Sequence, residues 1–156
     1  MYVLIRNNLR EFSDLHPLFQ KTIPPIALLL AVFAALRLAK YNTDSKQHDS
    51  FIGLPTPAMA IFVASIPLIN YFYKWEYRSF GADNLVIVTI VLSALMVIPI
   101  HLFSLKFPNL TWRDNKFRYI FILLSVALFA YLNFLAVPII IALYIALSIT
   151  ESLLSF

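Results

Sequence analysis

Arg37 and Lys40 lie three residues apart at the end of one apolar run and just ahead of another, and Asn42 and Lys46 follow them. That spacing places the two cations on roughly one face of a helix. A guanidinium and an ammonium so arranged, with a carboxamide just beyond, form a cradle for an anionic headgroup, whether phosphate or carboxylate. The chain then returns through Gly53-Leu-Pro-Thr-Pro57, where Gly53, Pro55 and Pro57 predict a rigid, shaped loop. A plainer reading stands beside this one. Cations at a helix C-terminus complement its dipole, and their long stems reach to lipid headgroups without binding any reactant.

Other chemistry finds little to work with. The acids Glu11, Asp14, Asp44, Asp49, Glu76, Asp83, Asp114 and Glu151 all fall outside the apolar cores. Metal-assisted phosphoryl chemistry needs converging carboxylates, and no such cluster is visible, so no metal site is assigned. Glu11 and Asp14 read as one solvated amphipathic stretch. His16, His48 and His101 are scattered without the helical pairing that zinc sites use. With no cysteine in the chain, disulfides, thiolate nucleophiles and cysteine-held metals are excluded. Asn109-Leu-Thr111 matches a glycosylation acceptor but falls in a loop placed below on the cytoplasmic side, so the match reads as chance.

The elements that must position Arg37 and Lys40 are apolar. Hydrophobic residues make up 61% of the chain and charged ones 13%, with a mean hydropathy of +0.81. That leaves too little charge to cover a water-soluble globule, and the chain reads as an integral membrane protein. Most aromatics lie inside apolar runs or at their ends, as in membrane interfaces, so nucleic acid is excluded as a partner.

Four apolar blocks follow one another. The first, about Thr22 to Ala39, opens on Pro24-Pro25, which suit a first helical turn. The second is about Leu54 to Tyr73, with a kink expected at Pro67. The third runs from Leu85 to about Phe103, bent near its end by Pro99. The fourth, Tyr119 to Ile149, would reach about 46 Å as one straight helix, against a hydrocarbon core of about 30 Å. A break is therefore predicted near Asn133 to Val137, just ahead of Pro138, giving two helices folded as a hairpin. The expected fold is all-α: a polytopic transmembrane bundle of four to five helices in a single membrane domain over residues 1–156. Residues 1–21 are expected to form a helix stub and loop, because Met1-Tyr-Val-Leu-Ile5 lacks the basic region and cleavage site of a signal peptide and reads as a helix tail. Gly53 and Gly81 fall in predicted loops, so close helix contacts must rely on Ala and Ser.

Charge gives the orientation. Arg37, Lys40, Lys46, Lys106, Arg113, Lys116 and Arg118 fall in two loops expected on one side, against Arg6, Arg10, Lys21, Lys74 and Arg78 on the other. The positive-inside rule makes the first side cytoplasmic.

Arg37-Leu-Ala-Lys-Tyr-Asn42 and Phe51-Ile-Gly-Leu-Pro-Thr-Pro-Ala58, joined by Trp112-Arg-Asp-Asn-Lys-Phe-Arg-Tyr119 and Phe134-Leu-Ala-Val-Pro-Ile139, carry a family likeness. As a set they resemble the C-terminal part of the CDP-alcohol phosphatidyltransferases, within them the bacterial CDP-diacylglycerol–serine O-phosphatidyltransferases. The resemblance implies transfer of a phosphatidyl group from CDP-diacylglycerol to L-serine with release of CMP, at the bacterial inner (cytoplasmic) membrane, with Mg²⁺ or Mn²⁺ as the metal. It assigns Arg37, with Lys40 and Asn42, to substrate contacts, and Gly53, Pro55 and Pro57 to shaping the loop; a homodimer is a candidate assembly.

The family's aspartate signature, Asp-Gly-x2-Ala-Arg-x8-Gly-x3-Asp-x3-Asp, which binds metal and supplies the base, is absent. Met1 to Ile5 would correspond to the end of the second helix that carries it. The chain is thus expected to be a C-terminal portion, without a catalytic residue or metal ligand of its own and inactive alone. The alternative is a non-catalytic membrane remnant or scaffold. A transporter is the weaker third reading, since no apolar span holds an ionisable residue to relay ions.

Overall fold

The computed structural model describes residues 1–11, 21–43, 50–73, 81–104 and 111–154. Helix α1 covers Tyr2–Glu11, and a 3₁₀ turn at Pro24–Ala27 leads into α2 at Leu28–Thr43. Strand β1 is Ser50–Ile52, followed by α3 at Thr56–Tyr73 and α4 at Ala82–Val97. Strand β2 is His101–Phe103. Helix α5, Trp112–Leu132, joins α6, Ala136–Leu154, through a 3₁₀ turn at Asn133–Leu135. The result is an all-α membrane bundle in which β1 and β2 form one small antiparallel ribbon.

Three helical stretches, Pro24–Tyr41, Thr56–Tyr73 and Asn115–Leu153, are long and apolar enough to cross a membrane, and Ala82–Val97 is a shorter apolar helix. Pro24-Pro25 open the first of these as a 3₁₀ turn, where two absent amide protons cost nothing. Pro67 is carried inside α3 without ending it. The third stretch bends where the length argument required. Asn133 adopts φ 46° and ψ −129°, outside the helical region, and ends α5. Helix α6 then folds back, so that Phe121 meets Tyr144 with ring centroids 5.6 Å apart and Arg118 meets Glu151 at 3.8 Å.

Two boundaries differ from expectation. The third block is helical only from Ala82 to Val97, and His101–Phe103 is a strand rather than the end of the helix. Pro99 explains this, because the residue before a proline is driven out of the helical region. Ile98 has φ −59° and ψ 134°. Helix α2, in turn, continues to Thr43, so Arg37 and Lys40 belong to its last turns and not to a loop.

Each break is closed by the backbone it faces. The Gly53 N–H donates to the Ile100 carbonyl at 2.9 Å and the Leu54 N–H to the Leu95 carbonyl at 2.8 Å. The returning loop thus satisfies the end of α4, as irregular backbone near a membrane must be satisfied. Two buried hydroxyls within the spans bond back to their own helices, Ser65 to the Phe62 carbonyl at 2.6 Å and Thr89 to the Leu85 carbonyl at 2.7 Å, whereas the Ser93 hydroxyl is buried without a partner. With Ala82 and Ala136, buried Ser65 and Ser93 supply the small contact residues expected in place of glycine.

The core has three parts along the bundle. Ile5, Leu9, Ala27, Ile66, Ala82 and Leu85 pack where α4 begins. Leu30, Leu54, Met59, Leu92, Met96 and Ile141 form the middle. Leu102, Phe103, Phe121 and Tyr144 pack under the ribbon. The bundle therefore has a ribbon end, with β1, β2, Arg37 and Arg118, and a hairpin end, with Tyr73, Gly81 and Asn133.

Candidate functional site

The ribbon end gathers the described parts of both segments that the charge argument set on one side. Ser50 pairs with Phe103, Phe51 with Leu102 and Ile52 with His101, which ties the chain after α2 to the chain after α4. Arg37 and Lys40 emerge beside this ribbon. They line one small recess together with Tyr41, Ile52, Met96 and Val97, as their three-residue spacing on a helix predicts. The recess has room for about one small polar atom (about 10 Å³) and no more, which suits a single oxygen reaching in from a larger group outside.

Arg37 is half-buried, and one nitrogen of its guanidinium donates to the Thr56 hydroxyl at 3.4 Å. Its Nε is buried and has no hydrogen-bond partner. A guanidinium offers five donors in a rigid fork, and a buried donor left unpaired costs about 1–3 kcal/mol. The fork is therefore held by Thr56 at one end and lacks an acceptor at another. Among the described residues no carboxylate pairs with it; the ion pair of this end, Arg118 with Glu151, lies elsewhere.

Thr56 was missed by sequence reasoning, which read Gly53 to Pro57 as a loop of shape alone. The signal was the hydroxyl between two prolines, fixed by its neighbours at the start of α3. Gly53 has φ 74°, a conformation other residues rarely adopt, and a side chain there would collide with the Met96 carbonyl oxygen and lie 2.9 Å from its carbon. Pro55 supplies the carbonyl that accepts the Met59 N–H at 3.1 Å, and Pro57 stands in the first turn of α3. Of these positions Pro55 and Pro57 flank Thr56, the partner of Arg37. Asn42 is within α2, but its side chain, like all of Lys46, lies outside the described residues.

A second cluster fixes this end. Arg118 donates from Nε to the Ser104 carbonyl at 2.8 Å and from a terminal nitrogen to Asn115 Oδ1 at 3.2 Å, faces Glu151, and stands over the Phe103 ring. Tyr144 donates its hydroxyl to the Phe103 carbonyl at 2.8 Å, and Ser148 accepts the Phe103 N–H at 3.4 Å. These bonds rivet β2 to the α5–α6 hairpin. The sequence shows Arg118 as a loop charge and as part of the Trp112 to Tyr119 segment, but not its structural role, since its partners are brought in by folding.

His101 is exposed on β2, and His16 and His48 lie outside the described residues. Among the described residues no three of His, Cys, Asp or Glu come close enough to hold a metal ion. What this end can do chemically is hold an anion: positive charge, oriented N–H donors and a backbone fixed by glycine and proline.

No family model matches the chain, and no solved structure does. Two curated proteins, the CDP-diacylglycerol–serine O-phosphatidyltransferases of Helicobacter pylori strains 26695 and J99, are each 29% identical to it over 105 residues. The matched stretch is 64% of this chain and 42% of each relative, so the chain aligns with less than half of their length. The likeness is distant, and it points to transferases of phospholipid synthesis as the family resembled.

Proposed function

We propose that this chain contributes the anionic-substrate corner of a CDP-diacylglycerol–serine O-phosphatidyltransferase in the bacterial inner membrane, with the ribbon end facing the cytoplasm. The observation that carries the reading is the buried, unpartnered Nε of Arg37 beside Lys40, on a segment that resembles one in that enzyme class. In the proposed reaction the hydroxyl of L-serine attacks the phosphorus of CDP-diacylglycerol that bears the diacylglycerol, and CMP leaves. The lipid reactant is an anion, and the nucleophile, a zwitterion, presents a carboxylate. Arg37, anchored by Thr56, and Lys40 hold a lipid phosphate or the serine carboxylate at the membrane surface; Asn42 supports them, and Gly53, Pro55 and Pro57 fix the loop against which the group rests.

The Mg²⁺ or Mn²⁺ that the resemblance implies does not fit the described residues, whose acids and histidines do not converge. On this reading the chain binds but does not turn over alone, and a homodimer of it would bring no aspartate signature either.

The test is retention of CDP-diacylglycerol by the purified chain in phosphatidylcholine nanodiscs, read by native mass spectrometry. Wild type retains it, Arg37→Gln loses it, and Arg37→Lys recovers it only in part, because an ammonium lacks the planar fork. Equal retention by wild type and Arg37→Gln overturns the proposal. It would favour the second reading, to which the Arg37–Thr56 bond also lends support: a non-catalytic membrane protein in which Arg37 ties α2 to α3.

A further inference from the structure

Between α3 and the α5–α6 hairpin lies an open cleft of about 300 Å³, lined among others by Pro55, Pro57, Ala58, Phe121, Ile140 and Tyr144. Its walls are apolar, and the Tyr144 hydroxyl is already taken by the Phe103 carbonyl. The cleft does not run the length of the bundle. Toward the hairpin end α3 meets the hairpin directly: Phe72 stacks on Phe134 at 4.8 Å, and Tyr73 donates to the Leu132 carbonyl at 2.7 Å. The helices thus splay from a closed hairpin end toward the ribbon end, and the space between them is a wedge. A transmembrane helix cannot occupy a groove closed at one end, whereas a flexible hydrocarbon tail can.

The wedge and the cationic recess share a wall. Pro55 and Pro57 line the wedge, and Thr56, between them, takes the hydrogen bond from Arg37. A lipid whose phosphate lies at Arg37 and Lys40 therefore has an apolar slot for one tail immediately across three residues of backbone.

We propose that this wedge seats one acyl chain of the anionic phospholipid whose headgroup lies at Arg37. The headgroup half rests on the function proposed above; the acyl half stands on the wedge itself. Because lipid tails are as apolar as the cleft, the seat works by shape and not by a hydrophobic gain. It positions the lipid along the bundle and so sets where its phosphate stops. Filling the slot must then displace the tail, while lipid-facing positions elsewhere must not show the same preference.

The experiment uses the full chain in phosphatidylcholine liposomes doped with phosphatidic acid that carries a diazirine midway along one acyl chain. After irradiation, adducts are mapped by peptide mass spectrometry. They are expected to concentrate at Ala58, Phe121 and Ile140 over Leu123 and Val126, which are 72% and 64% exposed and face outward. Ala58→Trp, and the milder Ala58→Leu should the first not fold, lower cleft adducts to the level of Leu123 and Val126. Adducts spread evenly over cleft and outer surface, or unmoved by a filled cleft in a monodisperse protein, overturn the proposal and leave the headgroup reading standing. Cleft adducts that vanish on filling yet persist in Arg37→Gln support the acyl seat and overturn the headgroup reading. With benzoylphenylalanine in place of Ile140, cross-links to a second copy instead of to lipid overturn the seat as well.

Discussion

The α-carbon of Gly53 lies against the backbone carbonyl of Met96, leaving no room for a side chain between the return loop and the end of α4. Two constraints coincide there, since φ is also 74°. Gly53→Ala must therefore push β1 away from α4 and strain the backbone, at a cost of about 1–3 kcal/mol for the backbone term alone. A lower apparent melting temperature of the purified chain is expected, together with weaker lipid retention, because Thr56 and Arg37 move with the loop. Gly81→Ala is the control: nothing lies within 4 Å of a methyl group there, and it leaves the melting temperature unchanged.

Arg118 and Glu151 are predicted to be unequal partners. The pair spans 3.8 Å, too long for a hydrogen bond, so the contact is worth only about 0–1 kcal/mol. Glu151→Gln should therefore have a small effect. Arg118→Met also strips a donor from the Ser104 carbonyl and from Asn115, and each such hydrogen bond from a charged group is worth about 1.5–3 kcal/mol. Thermal unfolding of the two variants under identical detergent conditions checks the order. Equal losses would mean that the ion pair, and not the bond to the β2 segment, holds the hairpin.

Much of the architecture was legible because membrane length is a hard constraint. A run from Tyr119 to Ile149 cannot cross a core of about 30 Å as one straight helix, and Asn133, ahead of Pro138, marked where it breaks. Arg37 and Lys40 were legible for the same kind of reason: helical spacing alone sets them on one face. What stayed hidden depends on contacts between distant segments. The pairing of Ile52 with His101 is a two-chain property that neither three-residue strand announces. Pro99 announced a bend, but not that α4 would end ahead of it, nor that the chain beyond would pair. Likewise, Thr56 becomes a partner of Arg37 only once α2 and α3 lie side by side.

Asn133 itself supplies another prediction. At φ 46° and ψ −129° it occupies a region in which glycine alone is comfortable, and its side chain is exposed, so no lost packing complicates a substitution. Asn133→Gly should hold or raise stability, whereas Asn133→Val, with a branched Cβ, should lower it by about 1–3 kcal/mol. If the two variants melt alike, the hairpin turn carries no strain and is set by the Tyr73 and Phe134 contacts instead.

The strand pairing fixes which residues share a membrane side, and a chain without cysteine allows a clean test of that sidedness. His101 and Trp112 are exposed at the ribbon end, and Tyr131 is 86% exposed at the hairpin end. Single variants His101→Cys, Trp112→Cys and Tyr131→Cys are to be labelled in intact bacterial cells with a membrane-impermeant maleimide, then again after permeabilisation. Since Arg37, Lys40, Lys116 and Arg118 all gather at the ribbon end, His101→Cys and Trp112→Cys are expected to label only after permeabilisation, and Tyr131→Cys from outside. The reverse pattern would place the Arg37 recess on the periplasmic face, away from the nucleotide-bearing lipid and the serine it is proposed to meet. A split between His101→Cys and Trp112→Cys would contradict the packing of β2 on α5 through Arg118, because β2 and the start of α5 would then lie on opposite sides of the membrane.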